Sequence, residues 1–158
     1  MTPRFAALLS IVAAAALMLF ARPASASGWA CWSKAAEAYN VPIDLMYAIA
    51  RVESRMHART VSRPNANGSY DIGLMQINSS WLPTLKKYGI TEQALLNDAC
   101  LNLHVGAWVL SQGIAKFGYN WRGLGAYNAS TDSKRAAYAR KVVDELREIR
   151  EERLGDAR

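Results

Sequence analysis

A chain of 158 residues, 51% of them apolar, is expected to form one domain with a real core. Its formal net charge of +6 and pI of about 9.5 suit an anionic polymer, a membrane surface or nucleic acid. The basic residues are scattered, with no Lys/Arg run and no nucleic-acid motif, so no nucleic-acid partner is expected.

Met1-Thr2-Pro3-Arg4 supplies one positive charge, followed by an almost wholly apolar run from Phe5 to Ala21 and then Arg22. Pro23-Ala24-Ser25-Ala26 follows, with Ala24-Ser25-Ala26 in the small-x-small form of a cleavage site. This predicts a secretory signal peptide over residues 1–26 and a mature domain over 27–158. The mature domain then keeps no membrane anchor and carries 17 basic against 13 acidic residues, or +4. The rival reading is an uncleaved anchor, because the run is nearly long enough to span a bilayer. Export also bears on the cysteines. Cys31 and Cys100 are the only two, and two cysteines in an oxidising compartment are expected to pair rather than stay as buried thiols. With His57 and His104 as the only imidazoles, no metal site is expected, and no cofactor.

Trp32, Ala35, Ala36 and Tyr39 recur at helical spacing and predict a helix over Cys31–Tyr39. Pro42 suits the first turn of a second helix, with Asp44 near its positive end. That helix presents Leu45, Ile49 and Val52 on one face and Met46 at its edge, and Glu53 projects between Ile49 and Met46. A carboxyl against apolar surface loses hydration and stays protonated near neutrality, as a proton donor must. Solvation, or pairing with Arg51, Arg55 or Arg59, is the plainer alternative. Residues 55–72 are polar and predict a small β-hairpin or a long loop turning at Asn67-Gly68. They lead into Asp71-Ile72-Gly73-Leu74-Met75-Gln76-Ile77-Asn78, read as the floor of a cleft.

Ser80 is the expected cap of a short helix through Trp81, Leu82, Leu85 and Tyr88, closed by Gly89. Thr91 starts another short turn. Asp98 caps a core helix in which Cys100, Leu103, Ala107, Leu110, Ile114 and Phe117 alternate at three and four, ended by Gly118. Asn120 caps the next, through Trp121, Leu124 and Tyr127. The last helix, Lys134 to Arg153, carries Tyr138, Val142, Leu146 and Ile149 on one face and mixed charges on the other, the look of a solvated surface helix. The fold class is mainly α, with a small β element beside the cleft.

Three stretches carry a family signature when taken together: Glu53-Ser54, Gly73-Leu74-Met75-Gln76-Ile77-Asn78, and Ala126-Tyr127-Asn128. In order and spacing they resemble the motifs of the soluble (SLT) type lytic transglycosylases. The form Asn67-Gly68-Ser69-Tyr70-Asp71-Ile72-Gly73, then Gln76-Ile77-Asn78-Ser79 and Trp81, is similar to the invasion-protein-like subgroup associated with type III and type IV secretion and pilus systems, as is the cysteine pair. The stretch also resembles C-type lysozymes, whose second catalytic aspartate matches Asp71.

The resemblance implies a lysozyme-like α+β fold, a periplasmic location and a peptidoglycan glycan strand as substrate, with secretion or pilus components as possible partners. It implies cleavage of the β-1,4 bond between N-acetylmuramic acid and N-acetylglucosamine. Glu53 would protonate the leaving oxygen and, as carboxylate, then take the proton of the muramic 6-hydroxyl, which closes to a 1,6-anhydro end. Ser54 would orient substrate. Gly73 would let backbone approach sugar, Met75 would offer an apolar contact, and Gln76 and Asn78 would line the cleft. Tyr127 and Asn128 would close the site over Glu53, with core packing as the rival role for Tyr127. Tyr138 resembles a further cleft tyrosine and equally fits the buried face of the last helix. Asp71, eighteen residues after Glu53, is a departure from the SLT pattern. It is read as an electrostatic stabiliser of the cationic transition state, against a plain role in the loop's hydrogen bonding. Two other functions remain open, a hydrolytic muramidase using Glu53 and Asp71, and a non-catalytic peptidoglycan-binding module.

Overall fold

The computed structural model describes residues 24–156. The leader expected over 1–26 therefore lies, up to residue 23, outside the described residues. Helix α1 runs Ala24–Tyr39, seven residues earlier than its apolar spacing alone predicts, because the small residues before Cys31 are compatible with helix. Asn40 ends it in the left-handed conformation, which asparagine tolerates, and the Val41 N–H returns to the Ala36 carbonyl at 3.0 Å.

Helix α2, Ile43–Ser54, follows an extended Pro42. It buries Leu45, Met46, Ala48, Ile49, Ala50 and Ser54, more of its circumference than one stripe. Arg55 and Met56 then both take positive φ (51° and 66°), so the chain leaves the helix abruptly two residues after Glu53.

The only sheet among the described residues is a short antiparallel pair, β1 (Asp71–Ile72) and β2 (Ile77–Asn78), with Asp71 opposite Asn78 and Ile72 opposite Ile77. Its turn is Gly73–Gln76, not the expected Asn67-Gly68. Asn67-Gly68 does turn the chain, with the Gly68 N–H on the Asn65 carbonyl at 2.9 Å, but inside the preceding loop. Burial decides between the two. Ile72 and Ile77 are both enclosed in the core, whereas Pro64 to Ser69 offers no apolar residue of comparable size to hold a register.

Asn78 leaves β2 in an extended conformation and caps a 3₁₀ turn, Ser79–Trp81, its Oδ1 accepting from the Ser80 N–H at 3.0 Å. The cap thus falls two residues before the expected Ser80, which already lies within the turn. Helix α3 (Leu82–Lys86) ends in the left-handed Gly89, and Thr91 caps α4 (Glu92–Asn97). Asp98 caps α5 (Ala99–Phe117) and Asn120 caps α6 (Trp121–Gly125), both as predicted. Helix α7 spans Asp132–Asp156.

Helix α5 is the centre of the molecule. It buries Asn102, Leu103, Val105, Gly106, Ala107, Val109, Leu110 and Gly113, so neighbours enclose it on more than the one predicted face. A disulfide between Cys31 and Cys100, with Cα atoms 5.4 Å apart, fastens α1 to its start. Helix α7 lies against α2 and α6 through Tyr138, Ala139, Val142 and Ile149. Along its edge, Arg51 pairs with Glu145 (2.5 Å) and Glu152 (2.7 Å), and Arg153 with Asp44 (2.8 Å). Part of the charged face read as merely solvated therefore clasps α2.

Candidate active site

Glu53 is half-buried at the end of α2, and its carboxyl is held from α7. The Tyr138 hydroxyl donates to Glu53 Oε1 at 2.6 Å. None of the arginines suspected of pairing with Glu53 forms an ion pair with it among the described residues, and Arg51 is committed to Glu145 and Glu152. Burial pushes the Glu53 carboxyl up from its ordinary 4.5 to about 7. The negative charge of Asp71 pushes the same way, while the Tyr138 hydroxyl, the Asn128 amide and the Lys141 ammonium partly oppose it. The group is thus poised to hold a proton near neutrality and to release it with little driving force.

Asp71 is fixed by the loop around it. Its Oδ1 accepts from Asn78 Nδ2 at 2.7 Å, and its Oδ2 lies 3.4 Å from Ser62 Oγ and 3.5 Å from Asn65 Nδ2. Its backbone N–H donates to Ser62 Oγ at 2.8 Å. Asn78 also reaches Ser69 Oγ at 3.1 Å. The polar loop therefore holds a carboxylate whose charge Glu53 feels, and the hydrogen bonding expected of Asp71 in the loop is present in the geometry.

Tyr127 and Tyr138 stack with ring centroids 6.2 Å apart and planes 15° apart. The Tyr127 hydroxyl donates to the Met75 carbonyl at 2.6 Å, which ties the segment after α6 to the hairpin turn. Both phenols are raised well above their usual range, chiefly by burial and then by the Glu53 charge, so both stay neutral donors. Asn128 lies exposed beside them.

Four expected substrate contacts face inward. Ser54 is 7% exposed, and its hydroxyl donates back to the Ala50 carbonyl at 3.1 Å. The Met75 side chain is fully buried against Gly106, so its apolar contact is with the core. Gln76 takes a positive φ of 48°, and its amide nitrogen ties the turn together by donating to the carbonyls of Gly73 (2.8 Å) and Thr60 (3.0 Å). A Cβ on Gly73 would lie 2.2 Å from Asn102 Nδ2, and Gly73 holds a φ of 78°. The glycine is required by its positive φ and by a neighbour beneath the turn. These residues shape the floor from below, because backbone carbonyls and N–H groups left in a tight turn need internal partners.

Asn102, Lys141 and Ser62 carry no signal in the sequence that marks them for the site, while Asn65 and Ser69 are legible there only as turn formers. The one feature that sets Asn102 apart is a polar amide within an otherwise apolar helix. The others sit in segments whose polarity looks like ordinary surface. Among the described residues, no group of three or more His, Cys, Asp or Glu side chains is placed to hold a metal ion. A depression of about 520 Å³, lined by Tyr47, Arg51, Val52, Arg55, Met56 and Glu145, flanks the end of α2 without including Glu53.

Comparison with known proteins identifies the family. The family model for the transglycosylase SLT domain matches residues 30–146. The chain is 43% identical over 129 residues to invasion protein IagB of Salmonella typhimurium, covering 78% of this chain and 80% of that protein. It is 38% identical over 116 residues to protein IpgF of Shigella flexneri, covering 73% of this chain and 76% of that one. The structure of an inactive mutant of the lytic transglycosylase Slt from Pseudomonas aeruginosa superposes with a TM-score of 0.55 at 23% identity. That match covers 74% of this chain and 23% of the larger protein, so it speaks to the fold alone. With the family model spanning most of the chain and the helical, lysozyme-like fold in place around Glu53, the protein belongs to the transglycosylase SLT family and is an SLT-type lytic transglycosylase.

Proposed function

We propose that the protein cleaves the β-1,4 bond between N-acetylmuramic acid and N-acetylglucosamine in peptidoglycan and leaves a 1,6-anhydro end, with Glu53 as the single acid and base. The observation that carries this reading is the Glu53 carboxyl, half-buried, hydrogen-bonded by Tyr138 and raised to about 7. As the acid, Glu53 gives its proton to the leaving glycosidic oxygen while positive charge grows at the anomeric carbon. The carboxylate then accepts the proton of the 6-hydroxyl as that oxygen bonds to the anomeric carbon, so the proton count closes on one residue and no water is consumed. Asp71, aimed by Asn78, faces the developing cation as an electrostatic partner. Tyr138 holds the Glu53 carboxyl in line throughout.

The mature chain is proposed to begin after Ala26 and to act in the periplasm, opening the wall locally for a secretion or pilus apparatus. Similarity to proteins named for invasion supports that setting. Mass spectrometry of the products released from purified peptidoglycan tests the chemistry. Anhydro-muramic ends are expected from the wild type, and Glu53→Gln should lower their yield by about a hundredfold or more. Reducing ends that depend on both Glu53 and Asp71 would make the protein a hydrolytic muramidase instead. An inactive wild type that still retains glycan strands would leave the binding-module reading standing.

A further inference from the structure

We propose that Asn102, in the middle of the core, is a positioning residue for catalysis: it anchors the hairpin turn at Met75, whose carbonyl receives Tyr127, and through Tyr127 and Tyr138 it holds the Glu53 carboxyl. The inference rests on the reading of Glu53 as the acid.

Asn102 is 0% exposed on a helix that is otherwise apolar at that level. A buried amide is tolerated only when its donors and acceptor are matched, and here two of the three bonds go to the hairpin that builds the site floor and the third to α4. Its Oδ1 accepts from the Met75 N–H at 2.7 Å, and its Nδ2 donates to the carbonyls of Ile72 (3.0 Å) and Leu95 (3.1 Å). The floor is shaped around it in turn. Gly73 lacks the Cβ that would strike Asn102 Nδ2, and Gly106 lacks the one that would lie 2.8 Å from the Met75 side chain. Met75 is thus locked on both sides, by the amide at its backbone and by the core at its side chain. Its carbonyl lies in the next peptide plane, which the Gln76 N–H holds by donating to the Gly73 carbonyl at 3.1 Å, and that carbonyl receives the Tyr127 hydroxyl. Tyr127 stacks on Tyr138, and Tyr138 donates to Glu53. Five residues from five separate segments form one continuous path from the core to the acid.

The groups that face Glu53 are Asp71 from β1, Tyr127 and Asn128 after α6, and Tyr138 and Lys141 from α7. Asn102 is uncharged and is not among them, so it acts on Glu53 through position. Contiguity alone does not establish coupling, and a double-mutant cycle measures it.

The test follows the Glu53 carboxyl by carbon-13 NMR across a pH titration in the full chain, alongside kcat and KM on soluble glycan strands. Asn102→Ala should move the Glu53 midpoint upward, because the Tyr138 hydrogen bond that lowers it is weakened. It should also reduce kcat about tenfold with KM within about twofold, as expected of a displaced catalytic group. Tyr127→Phe breaks the next link while leaving the core intact, and should shift midpoint and kcat in the same direction. The double variant should be little worse than the poorer single. An unmoved or lowered midpoint, or additive effects, overturns the proposal and makes Asn102 a structural residue whose loss only lowers Tm. If Asn102→Ala does not fold, Tyr127→Phe alone decides by the same midpoint. A wild type in which Glu53 titrates as described but no strand is cut refutes the acid reading and leaves the positioning result intact.

Discussion

Glu53 carries opposing demands. Chemistry wants a carboxyl that keeps its proton near neutrality, and the fold provides this by withdrawing it from water beside the Asp71 charge. That arrangement disfavours the ionised form in the folded chain but not in the unfolded one. The folded value of about 7 lies above the ordinary 4.5, so the folded state binds more protons between these limits. Stability linked to this group is therefore fully present below about pH 4.5 and is lost as pH rises through about 7. Glu53→Gln removes the ionisation and keeps an oxygen for the Tyr138 hydroxyl. It should leave stability close to that of wild type at pH 4.5 and raise it at pH 8, by up to about 3 kcal/mol from the size of the shift before screening by solvent is taken off, with a higher Tm at pH 8 as the sign. Thermal melts of both proteins at the two pH values check this. A Gln variant equally or less stable at pH 8 would mean that Glu53 is not held in an apolar setting. The activity of the wild type should decline over the same rise in pH, as the acid form is lost.

At the scale of elements, the hairpin joins two functions in one side chain. Asn78 caps the 3₁₀ turn with its oxygen and aims Asp71 with its nitrogen. Asn78→Ala removes both and should cost about 1–2 kcal/mol, the usual range for a lost cap with a hydrogen bond. Asn78→Ser restores a capping hydroxyl but does not supply the amide on Asp71. It should recover about half or more of the lost stability in denaturant melts while kcat stays low, if the orientation of Asp71 serves the reaction. Full recovery of kcat with stability would reduce Asp71 to a loop residue.

These same elements show what a linear pattern conveys. Asp98 and Asn120 were legible as caps because each precedes an apolar run with helical spacing, and each does accept the N–H groups it faces. Glu53, Asp71, Tyr127, Asn128 and Tyr138 were legible through the motif resemblance, and the fold brings Glu53 into the field or reach of the other four. The hairpin turn was misplaced because Asn67-Gly68 has the stronger local turn chemistry, while the burial of Ile72 and Ile77 is a tertiary fact. The inward aim of Ser54 and Gln76 was invisible for the same reason, since a polar side chain near an acid reads alike whether it meets substrate or backbone. Asn102 was hidden by helical periodicity itself, which treats a lone amide one residue from Leu103 as off the buried face.

For the whole molecule, the site depends on packing that begins far from it. Helix α1 takes no part in the hydrogen bonds around Glu53, yet it covers α5, whose other side holds the floor through Asn102. The Cys31–Cys100 bond closes a sequence separation of 69 residues that includes α2, the polar loop and both strands. In the unfolded chain such a closure removes entropy equivalent to about 4 kcal/mol in the loop model. The ion pairs of α7 with α2 are partly exposed and each contributes little beyond fixing alignment. Replacing both cysteines by serine should therefore lower stability by about 2–5 kcal/mol, on the order of 10 °C in Tm, while the same treatment with reductant should bring wild type to the level of the variant. Since the bond touches no residue of the catalytic cluster, turnover per folded molecule at 25 °C should stay within about twofold. Paired melting curves and strand-cleavage rates, with and without reductant, separate the two effects. A collapse of turnover in the still-folded variant would mean that α1 transmits its order through α5 to the floor, and that the disulfide belongs to the site as much as to the fold.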